Sequence, residues 1–227
     1  MQVLLTSATP FEIAPTIAWM EKVFEQKELS CFVKGNLEVQ VCITGVGILA
    51  TGWKLGAFFA QHKPDFAINA GIAGAWDRRI SLGDVVHVEE EVFADLGVED
   101  VAGKLIDLFE LGFAEANSFP FSAGKMINPG ANYGNFLPRV KGITLNKAHG
   151  SETLIAHTRE KYPTAQVESM EGGAFFYACL QKGVHFLEIR AISNYVEPRN
   201  RNAWNIPLAI LNLNQVLQQM LNELMRD

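Results

Sequence analysis

The stretch Phe66-Ala67-Ile68-Asn69-Ala70-Gly71 is a short, mostly apolar run that ends at a glycine. A run of this length beside a turn residue predicts a buried strand over residues 66–70. Before it, residues 47–62 carry apolar side chains available to a core and predict a helix. After it, residues 84–93 predict another strand. This alternation predicts an α/β fold in which helices cover both faces of a central mixed sheet.

The same alternation continues along the rest of the chain. The remaining predicted strands cover residues 3–7, 37–44, 142–145 and 185–192, and the remaining predicted helices cover residues 10–26, 171–181 and 204–225. Prolines and glycines interrupt residues 94–138, which contain only short apolar islands. We interpret these residues as an elaborated loop region, and we expect residues 1–227 to form a single three-layer α/β/α domain.

The composition argues against several classes of protein. The chain has 227 residues, a net charge of −6 and a pI of about 5.4, so it lacks the basic surface of a nucleic-acid-binding protein. It has no run of 18 apolar residues, which predicts no membrane-spanning helix. Its three cysteines are too few for a disulfide framework and predict a reducing, cytoplasmic location. Its five histidines show no spacing typical of a metal site, so we expect no metal.

The segment Gly45-Val46-Gly47-Ile48-Leu49-Ala50 matches the glycine pattern of dinucleotide-binding turns. It lies between a predicted strand and a predicted helix, as that function requires. However, the acidic residue of such sites closes the following strand, whereas Asp65 precedes its strand. We therefore favour a turn that needs glycine only for its backbone. A NAD- or nucleotide-binding protein that uses Gly45 and Gly47 remains an alternative.

Three polar residues lie near the carboxyl ends of predicted strands, where folds of this class bind ligands. Glu12 follows the first strand, Glu171 begins an almost wholly apolar helix, and Asn194 follows the strand over residues 185–192. A carboxylate at the head of a buried helix needs polar partners, which sugar hydroxyls would supply. Each residue also has a structural interpretation, namely charge complementarity at a helix N-terminus for the glutamates and turn formation for Asn194. Glu168 is expected to be a solvated acid.

Three motifs occur in a fixed order: Asn-Ala-Gly-Ile-Ala-Gly at residues 69–74, Met-Glu at 170–171 and Arg-Ala-Ile-Ser-Asn at 190–194. In this order they resemble the nucleoside phosphorylase and nucleosidase superfamily, which includes the methylthioadenosine/S-adenosylhomocysteine nucleosidases. Within it the chain is most similar to the futalosine hydrolases. The segments that carry this closer resemblance are Phe-Ala-Asp-Leu-Gly at 93–97, Ser-Met-Glu-Gly-Gly-Ala at 169–174 and Ser-Asn-Tyr-Val-Glu-Pro-Arg-Asn-Arg at 193–201.

The resemblance implies hydrolysis of the N-glycosidic bond of futalosine, which releases hypoxanthine and dehypoxanthine futalosine in menaquinone biosynthesis. Phosphorylases of the superfamily carry arginine at the position of Asn69, so its absence favours water over phosphate as the nucleophile. A purine nucleoside phosphorylase or another purine nucleosidase remains an alternative. The resemblance also implies a small-molecule nucleoside as substrate, no metal or organic cofactor, and a homo-oligomer, either a dimer or larger.

The resemblance also assigns roles within the site. It implies that Glu12 holds the nucleophilic water, that Glu171 binds the ribose hydroxyls, and that Met170 packs under the sugar. It places Asn194 at the purine, where both N–H bonds of the amide would serve N7 and O6 of hypoxanthine. Nucleosidases that cleave 6-aminopurines carry aspartate at this position, which argues against an adenine substrate. The further substrate contacts that we expect are Gly71, Ile72, Leu145 and Arg199. Arg199 or Arg201 would bind the aromatic carboxylate of futalosine, and the structural alternative for both arginines is solvation or pairing with Glu197.

Overall fold

The protein is represented by a computed structural model that describes residues 1–130 and 134–226, whereas residues 131–133 and 227 lie outside the described residues. Over the described residues the chain forms twelve strands, five α-helices and a one-turn 3-10 helix at Arg201–Ala203. The strands are β1 (Gln2–Ser7), β2 (Glu25–Glu28), β3 (Cys31–Lys34), β4 (Leu37–Ile43), β5 (Phe66–Ala75), β6 (Val85–Phe93), β7 (Gly97–Glu99), β8 (Leu105–Asp107), β9 (Met126–Ile127), β10 (Arg139–Thr144), β11 (Val167–Ser169) and β12 (His185–Tyr195). The helices are α1 (Pro10–Val23), α2 (Ile48–Gln61), α3 (Glu152–Lys161), α4 (Gly172–Lys182) and α5 (Ile206–Leu224).

The main sheet is mixed, as the sequence predicts. Its strands follow the order β11-β10-β6-β12-β5-β1-β4-β3-β2. The pairs β12–β5, β5–β1 and β1–β4 are parallel, whereas β6 runs antiparallel to β12. In addition, β11 pairs with β5, so that β5, β12, β6, β10 and β11 form a closed ring. This closure brings β11 beside the central strand.

Alternate residues of β1 enter two different cores. Val3 and Leu5 pack in one core with Ile13 of α1, whereas Leu4 packs in the other core with Leu55 of α2. Successive side chains of a strand point to opposite faces of the sheet, so the helices lie on both faces. The predicted α/β/α architecture is therefore confirmed. Among the described residues, no helix is both long enough and apolar enough to span a membrane.

Two predicted boundaries differ from the structure for identifiable reasons. The helix predicted over residues 10–26 ends at Val23, because Phe24 takes an extended conformation and is buried in the core. The next residues form β2 of an edge hairpin. The strand predicted over residues 66–70 continues to Ala75, and Gly71 lies inside it instead of at its end. This strand is buried almost throughout, so small residues suit its interior.

Regular structure also forms where the sequence predicts none. Helix α3 has only one buried residue, Thr158, so it carries no apolar stripe that could reveal it. Within residues 94–138, β7 pairs with β8, and β9 pairs with β6 of the main sheet. The division of the chain into domains stays a prediction.

One buried polar side chain joins α1 to α5. The Oδ1 atom of Asn214 accepts hydrogen bonds from the amide of Thr16 at 2.9 Å and from its hydroxyl at 2.6 Å. The Nδ2 atom of Asn214 donates to the carbonyl oxygens of Glu12 at 2.9 Å and Ile210 at 2.7 Å. The amide of Thr16 and the carbonyl of Glu12 would pair with each other in a regular α-helix. Asn214 therefore fixes the turn of α1 that carries Glu12.

We predict that Asn214→Leu lowers the free energy of unfolding by about 3 kcal/mol or more, because it leaves buried backbone groups without partners. Thermal or urea unfolding measures the change. Asn222→Leu on the same helix is the matched control, since Asn222 is exposed and bonds only to Gln218 of its own helix. The control should stay within about 0.5 kcal/mol of the parent protein. Equal stability of the two variants would contradict the role given to Asn214.

Candidate active site

A cavity of about 350 Å³ lies at the ends of β1, β5 and β12. This is a size typical of small-molecule sites. Seven of the eight residues predicted for the site line it: Glu12, Ile72, Leu145, Met170, Glu171, Asn194 and Arg199. Residues more than 180 positions apart in the chain thus meet in one cavity, as expected for a site at the strand ends.

Glu12 is a buried carboxylate in the first turn of α1. Its Oε2 atom accepts hydrogen bonds from the hydroxyl of Ser7 at 3.1 Å and from the amide and hydroxyl of Thr9 at 3.0 Å each. Its Oε1 atom accepts from the amide of Ile72 at 3.1 Å. The bond from the amide of Thr9 is the capping contact expected of an acid three residues into a helix. Four donors therefore hold this carboxylate in one orientation at the cavity wall.

Glu171 occupies the N-cap position of α4 without a side-chain bond to that helix, and its Oε1 atom accepts a hydrogen bond from the amide of Gly47 at 2.9 Å. Burial raises the pKa of Glu171, whereas the charge of Arg190 opposes this shift. Gly45 and Gly47 both have positive φ angles, 87° and 94°, which favour glycine. The amide of Gly47, which a dinucleotide-binding turn would direct at a phosphate, serves a carboxylate of the protein instead.

Arg190 is the residue of this site to which the sequence assigns no role. It is fully buried within β12, and its Nη1 atom donates to Oδ1 of Asn69 at 2.5 Å. Gly71 does not line the cavity. A Cβ atom at Gly71 would lie 2.8 Å from Nη1 of Arg190 and 2.9 Å from Oε1 of Glu12, so glycine leaves room for both groups. An arginine between two apolar residues, Ile189 and Ala191, in a strand is the signal that could have revealed this buried cation.

Two further carboxyl groups, Glu91 of β6 and Glu188 of β12, lie behind Arg190 and are fully buried. Oε1 of Glu188 is 3.0 Å from Nε of Arg190, and Oε2 of Glu91 accepts from the hydroxyl of Thr144 at 2.7 Å. Both carboxyl groups point at Gly172, where a Cβ atom would collide with each of them. Burial raises the pKa of Glu91, and the charge of Glu188 adds to this shift. Burial likewise raises the pKa of Glu188, to about 7, although Arg190 opposes the change.

Asn194 lies at the other end of the cavity, near the end of β12. Its Oδ1 atom accepts from the hydroxyl of Ser193 at 2.8 Å, and its Nδ2 atom donates to the carbonyl of Tyr195 at 3.0 Å. The sequence-based expectation that both N–H bonds serve a purine therefore needs correction. One N–H bond is used within the protein, and the other can serve a ligand.

The prediction that Glu168 is a solvated acid is wrong. Glu168 is buried in β11, and its Oε2 atom is 2.6 Å from Nδ1 of His149. The amide of His149 donates to Oε1 of Glu168 at 3.2 Å, and Nε2 of His149 is 2.8 Å from the hydroxyl of Thr158. Trp76 packs edge-on against the imidazole at 5.1 Å between ring centroids. Both Glu168 and His149 line the cavity.

Arg199 lies at the exposed rim of the cavity, with its guanidinium carbon 5.7 Å from the centre of the Trp204 ring. Glu197, a possible partner of Arg199 in the sequence, forms its ion pair with Arg78 instead. The described residues contain no group of three or more histidine, cysteine, aspartate or glutamate side chains that could hold a metal ion.

Comparison with known proteins identifies the family of this chain. No family model matches the chain. The chain is 33% identical over 195 residues to the futalosine hydrolase of Thermus thermophilus, and this match covers 79% of this chain and 80% of that protein. The chain belongs to the futalosine hydrolase family. It is also 29% identical over 212 residues to the futalosine hydrolase of Acidothermus cellulolyticus, covering 92% of this chain and 86% of the relative.

Membership of the futalosine hydrolase family makes the chain an N-glycosyl hydrolase with a nucleoside substrate, which confirms the predicted class of enzyme. The structure of futalosine hydrolase from Helicobacter pylori has a TM-score of 0.77 to this chain, covers 98% of each chain and is 17% identical in sequence. At that identity the likeness concerns the fold, which agrees with the predicted α/β/α architecture. The roles of the individual site residues stay predictions. The structure shows that seven of the eight residues line one cavity.

We predict that the buried pair Glu91 and Glu188 makes stability depend on pH. Both pKa values are raised above the ordinary value of 4.5, so the folded chain binds more protons than the unfolded chain. This contribution is fully present below pH 4.5 and is lost as the pH rises through about 7. Glu91→Gln removes one of the two acids and keeps an acceptor for Thr144. Between pH 5 and pH 8 the Tm of Glu91→Gln should therefore fall less than the Tm of the parent protein. At pH 8 the Tm of the variant should be at least about 2 °C above that of the parent protein.

Glu90→Gln is the matched control for this experiment, because Glu90 is the neighbouring residue and pairs with Lys125 near the surface. Its Tm profile should run parallel to that of the parent protein, since surface ion pairs contribute little. If Glu91→Gln also runs parallel to the parent protein, the buried acids do not share a raised pKa.

Proposed function

We propose that this chain hydrolyses the N-glycosidic bond of futalosine and releases hypoxanthine and dehypoxanthine futalosine, an intermediate of menaquinone biosynthesis. The observation that carries the proposal is the arrangement of two carboxylates, Glu12 and Glu171, at one end of the cavity and the amide of Asn194 at the other. This set of groups suits a nucleoside, whose sugar would face the acids while its base faces the amide. The family relationship supplies the identity of the nucleoside.

Glu171 is the residue proposed to bind the ribose. One of its oxygens is held by the amide of Gly47, which leaves the other oxygen available to the sugar hydroxyls. Cleavage of a glycosidic bond passes through a sugar with oxocarbenium character. A buried carboxylate beside this sugar stabilises the positive charge that develops in the transition state. Met170, the preceding residue, lines the cavity and supplies an apolar contact for the sugar.

Glu12 is proposed to orient the attacking water and to accept its proton. Its Oε1 atom accepts one hydrogen bond, from the amide of Ile72, and retains a lone pair for a water molecule. The guanidinium of Arg190 and this oxygen both border the space that a Cβ atom at Gly71 would occupy. General base catalysis by a positioned carboxylate contributes about 10²–10⁴-fold to a rate.

Water is favoured over phosphate as the nucleophile. Asn69 stands where the phosphorylases of the superfamily are expected to carry arginine. The one buried guanidinium next to Asn69 belongs to Arg190, which is already paired with Glu188. Phosphate recognition typically requires a guanidinium free to form two parallel hydrogen bonds. A phosphorylase therefore stays the second candidate function.

Asn194 is proposed to stabilise the departing purine. Hypoxanthine leaves with its electron pair, and the free N–H bond of Asn194 can donate to N7, where negative charge accumulates. Arg199, at the exposed rim, is proposed to bind the aromatic carboxylate of futalosine. Its position beside Trp204 would let an aromatic ring and a carboxylate bind together.

We further propose a homo-oligomer in the cytoplasm. Leu49 and Trp53, one helical turn apart on α2, are 85% and 75% exposed, and Val46 just before the helix is 56% exposed. Such a contiguous apolar surface is typical of protein contacts. Because Val46 also lines the cavity, a second copy of the chain at this surface would lie near the site. The cysteines, all three of them free thiols, suit a reducing compartment.

The proposed function predicts phosphate-independent turnover. The protein should release hypoxanthine from futalosine at full rate in phosphate-free buffer, with the unphosphorylated sugar as the second product. Chromatography with mass detection measures both products. A strict requirement for phosphate, or formation of a sugar 1-phosphate, would identify a phosphorylase instead.

Variants of the two active-site acids test the roles proposed for them. Glu12→Gln and Glu171→Gln should each lower kcat by about 10²-fold or more, because they remove a base and an electrostatic stabiliser. Glu160→Gln changes an exposed acid on α3 and should leave kcat unchanged. Near-full turnover by either active-site variant would show that the proposed role of that residue is wrong.

The proposed oligomer predicts that Trp53→Asp shifts the protein toward the monomer, because a charge placed in an apolar interface is unfavourable. Sedimentation velocity gives the mass of the particle. Leu29→Asp is the control, since Leu29 is 94% exposed and lies in the turn of the edge hairpin between β2 and β3. A monomeric parent protein, or equal particle masses for Trp53→Asp and its parent, would contradict the assignment of this surface.

A further inference from the structure

Glu168 and Asn194 lie on opposite sides of Gly74 in three neighbouring strands. The register pairs Glu168 of β11 with Gly74 of β5, and Gly74 with Asn194 of β12. Residues in register on adjacent strands present their side chains to the same face of a sheet. Both residues line the cavity, so the closure of the sheet by β11 adds a carboxylate to the end that holds the amide.

Gly74 lets these two side chains approach each other. A Cβ atom at Gly74 would lie 3.1 Å from Nδ2 of Asn194 and 3.4 Å from Cγ of Glu168. Both side chains therefore occupy the space above a residue that has no side chain of its own. The result is a hydrogen-bond donor beside a hydrogen-bond acceptor at one edge of the cavity.

The hydrogen bonds around His149 keep Glu168 an acceptor. Nδ1 of His149 can donate to Glu168 while Nε2 accepts from the hydroxyl of Thr158, an arrangement that suits a neutral imidazole. The amide of His149 donates to the second oxygen of Glu168. Each oxygen of an ionised carboxylate has two lone pairs, so Glu168 can still accept a hydrogen bond from a ligand. The hydrolytic steps assigned to Glu12 and Glu171 make no use of Glu168 or His149.

The two types of purine differ at the edge that such a pair would contact. A 6-oxopurine presents a donor at N1–H and acceptors at O6 and N7, whereas a 6-aminopurine presents a bare lone pair at N1 and a donor at the amino group. An acceptor of the protein that faces N1 would bond to the first and would oppose a lone pair of the second. A buried polar group left without its partner in this way costs at least a factor of ten in affinity.

We propose that Glu168, oriented by His149, determines specificity by accepting a hydrogen bond from N1–H of the 6-oxopurine, while the free N–H bond of Asn194 donates to N7. This inference rests on the proposed function, because it names the group that reads the base of the same substrate. It assigns a ligand-binding role to a residue that the sequence places at the surface. His149 is the positioning residue, and its role is exerted through Glu168.

The test compares Glu168→Gln with the parent protein on futalosine and on its 6-amino counterpart. Glutamine has the same shape, and its NH2 group can donate to the bare N1 of a 6-aminopurine. We expect kcat/KM for futalosine to fall at least about tenfold, mainly through KM, while kcat/KM for the 6-amino substrate is maintained or rises. The ratio of the two constants should therefore move by at least about tenfold. Glu160→Gln on α3 is the matched control and should leave the ratio unchanged.

Glu168→Asp keeps the acceptor and should retain the preference for the 6-oxopurine even if turnover is slower. Circular dichroism and thermal unfolding establish that each variant is folded; if Glu168→Gln is not, the ratio measured for Glu168→Asp decides. An equal fall of kcat/KM on both substrates, or loss of the preference in Glu168→Asp, would overturn the proposal. If the parent protein does not cleave futalosine, the proposed function is wrong. Inosine and adenosine then replace the substrate pair, and the same ratio tests Glu168.

Discussion

The acidic end of the site depends on one buried cation, the guanidinium of Arg190. It lies among Glu12, Glu171, Glu188 and Glu91, and the charges of all four act on it. Placing several carboxylates in an apolar interior is unfavourable without a compensating cation. A single positive charge cannot balance four negative charges, and the structure resolves this conflict in two ways. Glu12 is stabilised by four hydrogen-bond donors, whereas burial favours the protonated form of the pair behind Arg190.

This arrangement explains why the backbone beside the charges consists of small residues. A Cβ atom at Gly71 would fall between Arg190 and Glu12, and one at Gly172 would fall between Glu91 and Glu188. Strand β5, which carries Gly71, and Glu171, which precedes Gly172, also line the cavity, so packing and chemistry place the same demand on these segments. Because α1 is tied to α5 through Asn214, the acid that faces Arg190 is also held from the side of the helix layer.

The sequence predicts the parts of this structure that depend on local pattern. Glu12 and Glu171 follow strands and Asn194 lies near the end of one, and these are the positions at which folds of this class bind ligands. The sequence places Glu168 at the surface, because its partner His149 lies 19 positions away in the sequence and meets it only when β11 pairs with β10. The buried acids behind Arg190 are hidden for the same reason, since their strands become neighbours only in the folded sheet. Helix α3 escapes prediction because it has no apolar face.

The turn at Gly45 and Gly47 has the backbone geometry of an anion-binding turn but binds a side chain of the protein. Positive φ angles and an amide at the start of a helix, where it has no partner within the helix, create a site for an anion, whether a phosphate or a carboxylate. Here the anion belongs to the chain itself, because Glu171 occupies the amide of Gly47. A phosphate bound to that amide would have to displace the carboxylate that is proposed to bind the ribose. The glycine pattern therefore supports the nucleosidase site instead of competing with it, since it orients the acid that would stabilise the sugar in the transition state.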